Sequence, residues 1–122
     1  MQTVAVRTAD LTGAALDWAV AKAIGELEFI VITNGSHSLI HMDGYTWSPS
    51  TDWSQCGPLI NRFKVMVDHD FEEYSTSQEP CYAESNYYWA IGETELIAIC
   101  RTIVKRHFGE AINVPAELVE AV

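Results

Sequence analysis

The stretch YTWSPSTDWSQCGPLINR, Tyr45 to Arg62, gathers two indoles, a series of hydroxyls, one carboxylate and a Gly-Pro step. A hydrophobic core asks only for apolar side chains at a regular period, so this mixture belongs either to an elaborate helix start or to a binding site. Asp52 followed by Gln55 has capping-box spacing: the carboxylate can accept from the first free amides while Gln55 reaches back. Pro58 lacks the amide that would bond to the Ser54 carbonyl, so a helix begun at Trp53 is predicted to kink or restart there. A helix start also offers unpaired N–H groups and a positive dipole end. Ser50, Thr51 and Ser54 could then help to hold a carboxylate or phosphate, with Trp47 or Trp53 stacked on a flat ring. Asp52 competes with an incoming anion and better suits a ribose hydroxyl or an amine. Arg101, on the border of a later helix's apolar arc, could turn its guanidinium toward a ligand or toward Asp52. The ligand reading therefore unites Trp47, Ser50, Thr51, Asp52, Trp53 and Arg101; the structural alternative is capping and packing alone.

Other chemistry is sparse. The chain has no GxSxG elbow, P-loop or GxGxxG, and scattered acids do not by themselves define an acid–base pair, so no catalytic residue is expected. His37, His41, His69 and His107 show no HExxH, HxH or short Cys/His spacing, and neither a metal nor a cofactor is expected. Cys56, Cys81 and Cys100 form an odd set without a CxxC pair, which predicts free thiols.

The elements that must position these residues read as an α+β domain. TVAVR, Thr3 to Arg7, alternates as a strand does. LTGAALDWAVAKAIG then takes a helical period, with Thr12 as N-cap and Gly25 as its stop. Leu16, Ala19, Val20, Ala23 and Ile24 share one face of that helix. Trp18 lies about 200° round from Leu16, off the buried stripe, and is predicted to meet a neighbouring loop, a ligand or a second subunit. EFIVIT and SLIHM flank Asn34-Gly35 as a hairpin, and Asp43-Gly44 marks a further turn. KVMVDHD and NYYWA read as strands, whereas Phe71 to Asn86 reads as a long polar loop. Thr94 and Gly109 bracket the strongest helix, Glu95 to Phe108. Its wide apolar arc suits a helix laid across a sheet. The tail is an extended step and a short helix opened by Pro115. The expected architecture is one mainly antiparallel sheet of four or five strands with the two main helices, Gly13 to Ile24 and Glu95 to Phe108, packed on it.

The 122 residues fit a single domain able to bury a core. A formal net charge of −10 argues against binding nucleic acid or an anionic membrane. Its acids concentrate in the span between Lys64 and Arg101, which contains no Lys or Arg. The opening residues lack the layout of a secretion signal, no apolar run is long enough to cross a bilayer, and a cytosolic protein is expected.

In combination, LTGAALDWAVAK, YTWSPSTDWSQCGPLI, the Trp of NYYWA, TELIAICRTIVKRHFG and VPAEL resemble the NinX-like family of small tailed-bacteriophage proteins, a domain of unknown function. The resemblance covers most of the chain, and the TGAALDWAVAK and SPSTDW…GP stretches are its most specific parts. It implies a phage-encoded accessory protein in the host bacterial cytoplasm and supplies no catalytic residue. Two functions then compete, with an enzyme the weakest reading. One is a non-catalytic binder of a small, nucleotide-like ligand, by analogy with phage proteins that sequester host immune signals. The other is a modulator of a host defence protein acting through the acidic surface around Phe71 to Glu84. A homo-oligomer with Trp18 at its interface is expected in either case.

Overall fold

A computed structural model describes residues 2–26, 29–34, 37–42 and 44–119. The strands are β1 (Thr3–Arg7), β2 (Phe29–Asn34), β3 (His37–Met42), β4 (Tyr45–Trp47), β5 (Met66–His69), β6 (Cys81–Ser85), β7 (Tyr88–Gly92) and β8 (Ala111–Pro115). The helices are α1 (Gly13–Ala23), α2 (Trp53–Phe63) and α3 (Glu95–Phe108), with single 3-10 turns at Thr8–Asp10 and Ala116–Leu118. The class is α+β. In place of one sheet, the described strands form three small antiparallel ones: β1 with β8, the meander β2-β3-β4, and the meander β5-β6-β7. A third helix, α2, joins the two expected. The closing strand β8 comes from the tail and pairs with β1 from Thr3 opposite Pro115 to Arg7 opposite Ala111.

Helix α3 connects two of these sheets, β1-β8 and β5-β6-β7. This helix packs on β6 and β7 and also meets α1, α2 and β8. Leu96, Ala98, Ile99, Cys100, Ile103 and Val104 are all buried along it, so α3 runs through the core. Thr94 caps it by accepting from the Ile97 amide at 3.2 Å. Gly92, at the end of β7, permits the approach: a Cβ there would stand 2.6 Å from the Ala98 backbone nitrogen.

Two sequence expectations fail for related reasons. The stretch Phe71 to Asn86 contains β6, the central strand of its meander. CYAES carries no β-branched side chain, yet Cys81, Tyr82, Ala83 and Ser85 are buried. Thr102 on α3 donates to the Ala83 carbonyl, and Phe71 stacks on Tyr82 with ring centroids 4.6 Å apart. Helix and aromatic partners thus supply what strand propensity lacks. Helix α1 is likewise buried around more of its circumference than a single stripe, since Ala15, Asp17 and Ala21 are buried beside Leu16, Ala19 and Val20. Trp18 is half-buried and packs against the core, with the Lys22 ammonium 5.5 Å from its ring.

The expected hairpin is present as β2 paired with β3 in register from Phe29–Met42 to Asn34–His37. The Gly35 of its turn and the Asp43 of the next turn lie outside the described residues. All three cysteines are buried free thiols.

Candidate functional site

The opening segment folds as strand, turn and helix. β4 pairs with β3, placing Trp47 opposite Ile40, and both side chains are buried. The chain then turns through Ser48 to Thr51, closed by the Thr51 amide donating to the Ser48 carbonyl at 3.0 Å. Asp52 caps α2, accepting from the Ser54 amide at 2.9 Å and the Ser54 hydroxyl at 2.6 Å. Those bonds hold its carboxyl below the usual range. Gln55 does not complete the capping box. It accepts from the Ser48 amide at 2.6 Å and donates to the Thr46 carbonyl at 2.8 Å, tying α2 back to β4. Nor does Pro58 break the helix, which runs on to Phe63.

Beside this turn lies a recess of about 200 Å³. Ile40, Trp47, Ser50 and Asp17 are buried residues of its lining, while Gly13, Thr46 and Thr51 are exposed. Asp17 comes from the middle of α1, an element with no apparent bearing on the segment when only the sequence is read. Its carboxylate accepts from the Ser50 amide at 2.9 Å, and its backbone carbonyl accepts from the Trp47 indole N–H at 3.0 Å. Burial pushes the Asp17 carboxyl up to about 6, against the lowering effect of Ser50. The Ser50 hydroxyl is buried, lacks a well-aligned hydrogen bond, and still lies close enough to the Asp17 carboxyl to lower it. A carboxyl raised toward neutrality by burial and a buried hydroxyl therefore face one recess.

The six residues expected to form a ligand site are distributed unevenly. Trp47, Ser50 and Thr51 line the recess; Asp52, Trp53 and Arg101 do not. Trp53 starts α2 and is 54% exposed. Arg101 is buried in α3, where Nε donates to the Leu11 carbonyl at 2.8 Å and a terminal nitrogen donates to the Ile91 carbonyl at 2.9 Å. That same terminal nitrogen pairs with the Glu79 carboxylate. The fork thus ties α3 to the start of α1, to β7 and to the loop before β6. The sequence signal that could have found Asp17 is a lone carboxylate in a helix whose other residues, Lys22 in its last turn apart, are apolar or small, a placement that requires a partner.

A small α+β domain with a polar-floored recess between α1 and the β4–α2 turn is the class of protein defined here. The family model described as Bacteriophage P22, NinX matches residues 7–107, which include α1, the opening segment and α3. The chain belongs to that family. A comparison with curated proteins returned no match. Among the described residues no helix is long and apolar enough to cross a membrane.

Proposed function

We propose that this phage accessory protein binds, without turnover, a small nucleotide-like ligand whose base edge enters the recess. The observation that carries the reading is the buried Asp17 carboxylate, held by the Ser50 amide and flanked by the buried Ser50 hydroxyl, in the lining of the recess. A base edge brings N–H donors for the carboxylate and an acceptor or donor for the hydroxyl, and its flat ring fits beside Trp47. At about 200 Å³ the recess is smaller than a drug-sized pocket, so the sugar would lie outside, over Thr51, where the Asp52 carboxylate at the start of α2 suits a ribose hydroxyl and disfavours a phosphate. Thr51 is exposed there, as is Trp53, whose indole offers a second stacking surface. Sequestration of a host signal is the use that suits binding without turnover. Thermal denaturation in the presence of individual nucleosides and nucleotides tests the proposal. At least one compound is expected to raise the melting temperature of the wild type and to leave Asp17→Asn and Ser50→Ala unmoved. A shift of equal size in all three proteins places binding elsewhere.

The acidic face supports a second reading, a modulator of a host protein. Phe71, Tyr74, Tyr82 and Trp89 stack on one another, with Tyr74 and Trp89 centroids 4.0 Å apart. This ordered stack carries the exposed Glu72 and Glu73, and Tyr87 is 91% exposed at the following turn. A fixed acidic surface with an available tyrosine is the kind of patch a basic partner would engage.

A further inference from the structure

His69, Cys81 and Glu95 come from three elements and place one potential ligand atom each within 4.8 Å of the others. The register of the β5-β6-β7 meander explains the convergence. His69 is the cross-strand partner of Cys81, so the two side chains rise on one face of the sheet. Cys81 lies opposite Gly92 on β7, and Gly92 carries no side chain to block that face. The same glycine admits the first turn of α3, where Glu95 begins the helix directly after its Thr94 cap. Glu95 Oε2 is 3.4 Å from His69 Nε2, and the Cys81 thiol donates to Glu95 Oε1 at 3.9 Å.

From this geometry we infer that His69, Cys81 and Glu95 form a binding site for a zinc-class divalent ion. Imidazole, thiolate and carboxylate together are a borderline donor set that zinc accepts, and three protein ligands leave a fourth position for water. Tetrahedral coordination places ligand atoms about 3.3–3.6 Å apart, so the His–Glu separation already fits, whereas the thiol, which faces the other carboxylate oxygen, must close in from a set that lies within 4.8 Å. The His69 and Glu95 side chains are 57% and 41% exposed, while Cys81 is buried; an ion can enter from solvent and meet the thiol at the floor. On binding, Cys81 Sγ loses its proton to solvent, and the ion takes the place of the direct His69–Glu95 contact. Sequence spacing could not reveal this set, because 12 and 14 residues separate its members and only the sheet register and the Gly92 approach unite them.

Cobalt(II), a spectroscopic stand-in for zinc, tests the inference on the intact chain. Titration of metal-free protein is expected to give a thiolate-to-cobalt charge-transfer band that saturates at one equivalent and is abolished by added zinc. Cys81→Ser should remove the band. His69→Ala, at an exposed position, removes a direct ligand and should weaken cobalt binding at least as much as loss of a ligand's outer-shell partner does, about tenfold or more. The absence of a thiolate band in the wild type, its survival in Cys81→Ser, or unchanged affinity in His69→Ala would each overturn the site. If Cys81→Ser does not fold, the His69→Ala affinity decides the question.

Discussion

Asp17 is the residue on which the functional reading turns, and its protonation makes a measurable demand. Its carboxyl has an ordinary value of 3.8 and is raised to about 6 in the folded chain. Below pH 4 both folded and unfolded states hold the proton. Between about pH 4 and 6 the folded state keeps a proton that the unfolded state has lost, so stability falls as pH rises. Above pH 6 the full cost of the buried charge is present, about 3 kcal/mol from the size of the shift. Asp17→Asn keeps an acceptor for the Ser50 amide and never ionises. Urea denaturation across pH should therefore find the variant more stable than the wild type at pH 8, by as much as about 3 kcal/mol, with the gap closing toward pH 4. A gap independent of pH would mean that Asp17 does not ionise in a buried setting. Arg101 behaves differently. Its fork holds two carbonyls and Glu79, so Arg101→Ala would report on folding before it reported on any ligand.

At the scale of elements, the contact between β7 and α3 is the closest constraint. Gly92→Ala would bring a methyl to 2.6 Å from the Ala98 nitrogen and 2.9 Å from Ile97 Cγ2. The first is backbone inside a buried helix and cannot swing aside. A loss of about 1–3 kcal/mol is expected in denaturation experiments, the usual range for overpacking. A neutral Gly92→Ala would show that α3 does not sit so tightly on the sheet. Much of this scale was legible in the sequence. The TVAVR strand and the Glu95 to Phe108 helix match their expected bounds, because alternation, caps and stop signals there agree with one another. What escaped was decided by partners distant in sequence. The strand β6 owes its place to α3 and to the Phe71 and Tyr74 rings. Gln55 found Thr46 and Ser48 in preference to the helix end it was expected to cap. The recess was half legible: hydroxyls and an indole marked the segment, but its carboxylate came from α1 rather than from Asp52.

For the whole molecule, the family gives a phage protein, and the recess is where the proposed ligand would sit. Self-association belongs to this scale. Trp18 is half-buried, packs against the core and carries Lys22 over its ring. Light scattering is expected to find a dimer or larger assembly that Trp18→Ala weakens. A monomer at high micromolar concentration would make Trp18 an ordinary packing residue. The central claim, a small ligand held by Asp17 and Ser50, is tested most directly by purifying the protein from phage-infected cells, releasing bound molecules by heat and identifying them by mass spectrometry. The wild type should yield one aromatic, nucleotide-like compound in near-stoichiometric amount, and folded Asp17→Asn or Ser50→Ala should yield none. Recovery of no small molecule from the wild type, or of the same compound in equal amount from both variants, would contradict it.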